Sequence, residues 1–135
     1  MNIYDRDDGF HVFTLEEANA VLPDVIKITE IALDSLEDAK MRMKSEEIDD
    51  KVLAQRRFEE DTSVILEEWA QEIMALGIYP KGPFTVDFKS RIPGTLFCWT
   101  YGEEVITHTH KIFESFKDRV PVRNNVLPGF EDSLN

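Results

Sequence analysis

Cysteine is almost absent from this 135-residue chain, since Cys98 is the only one. A single thiol excludes an internal disulfide and is typical of a reducing compartment. No apolar run approaches the roughly 20 residues that span a bilayer. The start, MNIYDRDDGF, has neither the basic nor the apolar region of a secretory signal. We therefore expect a cytoplasmic protein that has no membrane partner.

Basic side chains are scarce in the first half of the chain. Residues 1–76 carry 20 acidic and 8 basic side chains, whereas residues 77–135 carry 7 of each, so the net charge of −12 lies entirely in the N-terminal half. Phosphate backbones and anionic membranes are bound through clustered Lys and Arg. We therefore expect no nucleic-acid partner, and the charge indicates an acidic, solvated helix surface.

Familiar catalytic motifs are also lacking. The sequence contains no phosphate-binding P-loop, no dinucleotide-binding glycine fingerprint, no His-Glu-x-x-His zinc motif and no nucleophile elbow. Apolar residues make up 42% and charged residues 31%, which is an ordinary composition for a folded protein. The length suits one domain over residues 1–135.

The first half of the chain has the apolar spacing of helices. Thr14 followed by Glu17 forms a capping-box pattern, which predicts a helix start. Pro23 disfavours helical geometry at the residue before it, so this first helix is predicted to be short. Proline suits the first turn of a helix, and a second, longer helix is predicted over residues 23–44.

Another long helix is predicted after the acidic connection at residues 45–50. Gly77 ends it, and Ile78 is expected to provide the apolar contact of a Schellman cap. Long helices joined by a short connection pack antiparallel. Residues 11–78 are therefore predicted to form a helical hairpin.

Past Ile78 the apolar period becomes that of strands. Residues 84–88 alternate between apolar and polar, after a turn at residues 81–83. Residues 95–101 are rich in β-branched and aromatic side chains, and residues 105–109 have high β propensity. Three strands of an antiparallel sheet are therefore predicted.

The C-terminal part adds a short helix around residues 112–116 and a polar tail over residues 123–135. The predicted fold class is α+β. It comprises a long antiparallel helical hairpin (11–78) that packs with a small antiparallel β-sheet and the short C-terminal helix (79–122).

The candidate site lies in GEEVITHTH, residues 102–110, where two carboxylates and two imidazoles are close in sequence. His108 and His110 share one face of a strand, so with Glu103 they are candidate ligands of a divalent metal, with Asp87 as a further carboxylate. Alternatively, a histidine oriented by a carboxylate acts as a general base. A third interpretation is a set of solvated polar residues at a strand edge.

The pairing of this β-hairpin decides what surrounds the histidines. If residues 102–103 form a two-residue turn, Phe97 pairs with His108, and both histidines share the face of the aromatic residues. Cys98 then lies on the other face, which favours a buried, inert thiol. The sequence leaves the register open. Aromatic residues at this spacing commonly pack a sheet onto helices, but they are also candidates for a binding pocket, namely Phe97, Trp99 and Tyr101.

Two stretches are distinctive: FTLEEANAVLP at residues 13–23 and CWTYGE at residues 98–103. With Val86-Asp87-Phe88 and His110, they resemble a prokaryotic family known only as domain of unknown function 2203. The resemblance spans residues 11–122 and implies no assigned activity. It does rank the site candidates, because His108 stands where the family often has another residue. The candidates that match the family pattern are Asp87, Glu103, His110 and Arg119.

Two functional hypotheses follow. The first is a cytoplasmic binding or protein-interaction domain that forms a homodimer, because a helical hairpin and a small sheet leave apolar surface and strand edges that a symmetric dimer would cover. The alternative is a small metal-dependent or acid/base enzyme with a site around Glu103, His110 and Asp87. The sequence indicates neither a substrate nor a small-molecule ligand.

Overall fold

The computed structural model describes residues 9–45, 51–106, 108–111 and 120–121. Two helices precede five strands that form one antiparallel sheet in the order β1-β2-β3-β4-β5. The predicted α+β fold, a helical hairpin with a small antiparallel sheet, is confirmed. The predicted C-terminal helix and tail lie outside the described residues. The elements are α1 (Leu15–Ser45), α2 (Lys51–Ala75), β1 (Tyr79–Gly82), β2 (Thr85–Lys89), β3 (Thr95–Thr100), β4 (His108–Lys111) and β5 (Val120–Pro121).

Helix α1 begins with the predicted capping box. The Thr14 N–H donates to Glu17 Oε1 at 2.8 Å, and the Glu17 N–H donates to Thr14 Oγ1 at 3.0 Å. These bonds satisfy two backbone donors that have no partner inside the helix. The cap therefore sets the position at which the helix starts.

The prediction that Pro23 separates two helices is wrong, because α1 runs through it without a break. Proline removes one hydrogen bond, to the carbonyl of Asn19. Leu22 before it and Val25 two residues after it are in the core, 2% and 0% exposed, whereas Pro23 and Asp24 are exposed. Burial of Leu22 and Val25 outweighs the cost of the missing backbone hydrogen bond. The proline ring lies on the exposed side of the helix and does not disturb the core.

The two helices pack along a seam that includes a polar pair. The Trp69 indole N–H of α2 donates to Thr29 Oγ1 of α1 at 2.9 Å, and both side chains are buried. The bond gives each of these two buried polar groups a hydrogen-bond partner in place of water. The buried positions of α1 recur at steps of three, four or seven, as an antiparallel pair of helices requires, and are Ala18, Leu22, Val25, Thr29, Ala32 and Ala39.

Helix α2 ends in the predicted Schellman cap. The N–H of Ile78 reaches the carbonyl of Ile73 at 3.4 Å, and the N–H of Gly77 reaches that of Met74 at 2.9 Å. Gly77 has φ +83°, a conformation that favours glycine, and both isoleucines are fully buried. The N-terminal segment is attached here, because the His11 N–H donates to the Gly77 carbonyl at 2.9 Å.

The first β-hairpin turns later than predicted. Lys81 and Gly82 belong to β1 rather than to the turn, and β2 begins at Thr85. The turn falls on Pro83 and Phe84, and Phe84 has φ +57°. The Phe84 ring packs edge-on against Trp69 with ring centroids 5.4 Å apart, a contact that helps hold this unusual backbone conformation.

The pairing of β3 with β4 is shifted by one residue from the register expected for a two-residue turn at residues 102–103. Phe97 pairs with Thr109 rather than with His108, and β4 starts at His108 rather than at Val105. The connection is longer because the N–H of Ile106 donates to Asn19 Oδ1 of α1 at 2.8 Å. Ile106 is buried against the helices instead of continuing a strand.

The hydrophobic core lies between the hairpin and one face of the sheet, which we call the inner face. Its sheet residues pack with Leu22, Val25, Trp69 and Ile73 of the helices. Neither described helix contains an apolar stretch that could cross a membrane. The inner-face residues of β2 and β3 are Val86, Phe88, Phe97 and Trp99.

Candidate functional site

The opposite face of the sheet, which we call the outer face, carries the polar residues of β2 and β3. The hydroxyls of Thr85 and Thr100 are 2.9 Å apart, which shows that they project to the same side. Because side chains alternate along a strand, Asp87 and Lys89 share this side with Thr85, and Cys98 shares it with Thr100. The outer face therefore carries a carboxylate, an ammonium group and a thiol on adjacent strands.

These three side chains are buried. Asp87 and Lys89 are each 2% exposed, and Cys98 is 0% exposed. Buried charges need partners, and the Lys81 ammonium lies 3.9 Å from Asp87 Oδ2. Asp87 pairs directly with Cys98 across the strands, a position at which side chains are typically about 5 Å apart.

The β4 backbone places the two histidines beside the outer-face residues in register. His108 pairs with Cys98, and His110 pairs with Leu96. Asp87, Cys98 and His108 therefore occupy successive positions of one cross-strand row. The sequence-based register separated Cys98 from the histidines, and the observed register corrects this.

Glu103, the second predicted carboxylate, belongs to the turn that follows β3. Its Oε1 accepts the Thr100 N–H at 2.8 Å, and its own N–H donates to the Thr100 carbonyl at 3.1 Å. Its carbonyl accepts the Trp99 indole N–H at 2.8 Å. These bonds fold the turn back onto the end of β3, so Glu103 contributes to the local structure.

The three aromatic candidates divide between core and surface. Phe97 and Trp99 are 2% and 0% exposed and belong to the core that packs on the helices. Tyr101 is 41% exposed, and its hydroxyl donates to Glu30 Oε2 of α1 at 3.1 Å. This hydrogen bond raises the pKa of Tyr101 above 10.0; desolvation and the negative charges of Glu30 and Asp34 act in the same direction.

Of the other candidates, Arg119 lies outside the described residues. Within the residues whose side chains are described, no three His, Cys, Asp or Glu side chains come together as a metal-binding group. Lys89 was not among the residues selected from the sequence, although its spacing could have identified it. Lys89 is two residues after Asp87, so both project to the same side of the strand, whereas Val86 and Phe88 are apolar and project to the other side.

A second candidate surface lies on the hairpin. A groove of about 340 Å³ runs between the two helices at mid-length. One salt bridge crosses it, between Arg42 Nη2 and Asp61 Oδ2 at 3.7 Å. Ile31 lies one helical turn before Ser35 on the same stripe of α1 and is 57% exposed. The groove is lined by Ser35, Asp38, Arg42, Asp61, Val64, Ile65 and Glu68.

A smaller apolar pocket of about 210 Å³ lies where α2 meets the β1–β2 turn. Trp69 and Leu66 form its helical wall, and Pro80 and Pro83 form part of the other. Pro80 belongs to β1, where the pairing with β2 is irregular. Proline and a bulge at a sheet edge discourage the addition of another strand, so this edge is a poor docking site for a peptide.

Together, the hairpin and the meander of short strands define an α+β protein whose outer sheet face carries buried polar residues. The chain belongs to the family described as "Uncharacterized conserved protein (DUF2203)", whose model matches residues 11–122. The resemblance seen in the sequence is thus confirmed over the same residues. Neither the curated proteins nor the solved structures gave a match. The family has no assigned function.

Proposed function

We propose that this chain is a cytoplasmic protein-interaction domain that works as a homodimer, with the helical hairpin as the interacting element. The observation that carries the proposal is the exposure of large apolar side chains along the groove. Ile31 is 57% exposed and Val64 is 54% exposed. Apolar side chains beside a groove are typical of a surface that a partner covers.

The packing within the hairpin supports the same proposal. In the half of the hairpin far from the sheet, the buried residue of α1 after Ala32 is Ala39, and the buried residue of α2 before Trp69 is Ala54. Alanine lets helices approach closely but buries little apolar area. The fully buried side chains of this half of the hairpin are therefore small, and a second copy would bury the apolar side chains that remain exposed.

Substitution of the exposed apolar residues tests the proposal. We expect Ile31→Asn combined with Val64→Asn to shift the protein from dimer to monomer in size-exclusion chromatography with light scattering. The control is Val12→Asn combined with Val105→Asn, because these residues are 50% and 51% exposed and lie outside the two helices. A wild-type monomer, or a hairpin variant that dimerises as well as the control, would contradict the proposal.

A second candidate function is a small metal-dependent or acid/base enzyme around Asp87, Glu103 and His110. The buried carboxylate of Asp87 beside Cys98, in the same cross-strand row as His108, favours this candidate. Buried polar residues concentrated on one sheet face are typical of sites that bind a ligand or a metal.

Elemental analysis of the purified protein tests the metal version of this candidate. We expect a stoichiometric metal that is lost in Asp87→Asn and in His110→Ala. For Glu103 the suitable change is Glu103→Gln, because an amide oxygen can still accept the Thr100 N–H and preserve the turn. Metal at background level, or metal unaffected by all three changes, would argue against this version.

A further inference from the structure

Charge is divided along the length of the hairpin. We call residues 40–45 and 51–58 the tip, and residues 15–39 and 59–75 the stem. The tip carries six basic and no acidic side chains, whereas the stem carries thirteen acidic side chains and one lysine. The connecting residues 46–50 lie outside the described residues and add four carboxylates by sequence. The tip and these connecting residues together have a net charge of +2, whereas the stem has a net charge of −12.

From this division we infer that two copies pack antiparallel, with the tip of each hairpin over the stem of the other. The inference rests on the proposed homodimer and specifies its geometry. Parallel packing would place the two stems together, with thirteen carboxylates on each side. Like charges closer than the Debye length, about 8 Å at physiological ionic strength, are only partly screened and repel one another. Antiparallel packing instead places basic side chains against acidic ones.

The groove provides the surface for such a contact. On α2 one stripe contains Arg57, Asp61, Val64 and Glu68, at steps of four, three and four residues. Suppose that a twofold axis passes near Val64 and relates the α2 helices of the two copies. Arg57, seven residues before Val64, then lies opposite the position seven residues after it in the second copy, between Glu68 and Glu72. Both copies make this contact, so each charge pair occurs twice.

The hairpin is large enough for a stable interface. Helix α2 has 25 residues, which corresponds to about 37 Å, and two adjacent helices are about 20 Å wide. Overlap along that length would cover about 700 Å² per copy, close to the roughly 800 Å² per partner of a standard interface. Leu53, four residues before Arg57 on the same stripe of α2, is 39% exposed and would lie in the covered area.

Charge reversal distinguishes the packing modes. In the full-length protein, we expect Arg57→Glu and Glu68→Arg each to weaken dimerisation about tenfold, because each places like charges together twice. The double variant exchanges the two charges and should return to within about threefold of wild type. Dimer dissociation constants are measured by sedimentation equilibrium, with circular dichroism to verify folding.

Matched controls remove the effect of net charge. Arg91→Glu and Glu104→Arg make the same charge changes at exposed positions in the sheet part, and should leave dimerisation unchanged. Tighter dimerisation in Arg57→Glu would contradict the antiparallel contact. Single variants equal to their controls would refute the antiparallel contact while the homodimer stands. A wild-type monomer would refute the proposed function itself.

Discussion

Two threonines with opposite hydrogen-bonding states lie in the helical hairpin. Thr29 Oγ1 accepts the buried Trp69 indole N–H at 2.9 Å, whereas the buried Thr62 Oγ1 has no hydrogen-bond partner. We expect Thr29→Val to lower the free energy of unfolding by about 1–3 kcal/mol, because the indole N–H is left buried without an acceptor. Thr62→Val should raise it by up to about 1 kcal/mol, because it removes a buried hydroxyl that makes no bond.

Urea denaturation followed by tryptophan fluorescence measures both changes. The two variants make the same chemical substitution, so each serves as the control for the other. Equal losses of stability in Thr29→Val and Thr62→Val would contradict the assignment of different roles to the two hydroxyls.

The titration of Tyr101 reports on the contact between the loop that follows β3 and helix α1. Its hydrogen bond to Glu30 raises the pKa of the phenol above 10.0, so the protonated form is favoured in the folded state. The associated stability is present below the ordinary pKa and is lost as the pH rises through the raised value. We expect Glu30→Gln to lower the pKa of Tyr101 towards its ordinary value.

The tyrosinate absorbance measured against pH follows this group, and Tyr101→Phe identifies its contribution among the three tyrosines. An unchanged titration in Glu30→Gln would show that the phenol does not sense Glu30 in solution.

At the scale of elements, the junction after α2 is sterically tight. Gly77 has φ +83°, and a Cβ there would lie 2.6 Å from Cγ of His11. Gly102 also has a positive φ, +109°, but a Cβ there would meet open space. We expect Gly77→Ala to destabilise the protein by more than about 1 kcal/mol, and Gly102→Ala by less, since it carries only the conformational cost.

Urea denaturation compares the two glycine variants. Adding His11→Ala to Gly77→Ala should recover part of the loss, because it removes the ring that the new Cβ meets. Without any such recovery, the contact between the ring and the glycine would not explain the cost.

Local signals in the sequence were sufficient to predict where α1 starts and where α2 ends. Thr14 with Glu17, and Gly77 with Ile78, each form a motif whose hydrogen bonds depend on a few neighbouring residues. Tertiary contacts decided the features that were wrong. Burial of Leu22 and Val25 carries α1 through Pro23, and no local pattern reports that burial.

The register of β3 and β4 likewise depends on a distant contact. The bond from Ile106 to Asn19 joins residues 87 positions apart, and it lengthens the loop by docking it on α1. A period-two pattern shows which residues alternate but not which partner they face. The outer-face position of Asp87 follows from alternation, whereas its burial and its association with Cys98 required the fold.

For the whole molecule, the charge division along the hairpin could be read from the sequence only after the helix bounds were known. Counting by halves of the chain gives one acidic half and conceals six basic residues at the tip. The fold brings residues 40–45 and 51–58 to the same end of the hairpin. Composition therefore indicated an acidic surface, and structure divides it into two regions of opposite charge.

The molar mass of the wild-type protein in solution tests the central claim, that the helical hairpin pairs two copies, most directly. Sedimentation equilibrium over a range of protein concentrations should give a mass that rises towards twice the 15.6 kDa of the chain. A mass that stays at 15.6 kDa at every concentration would contradict the claim.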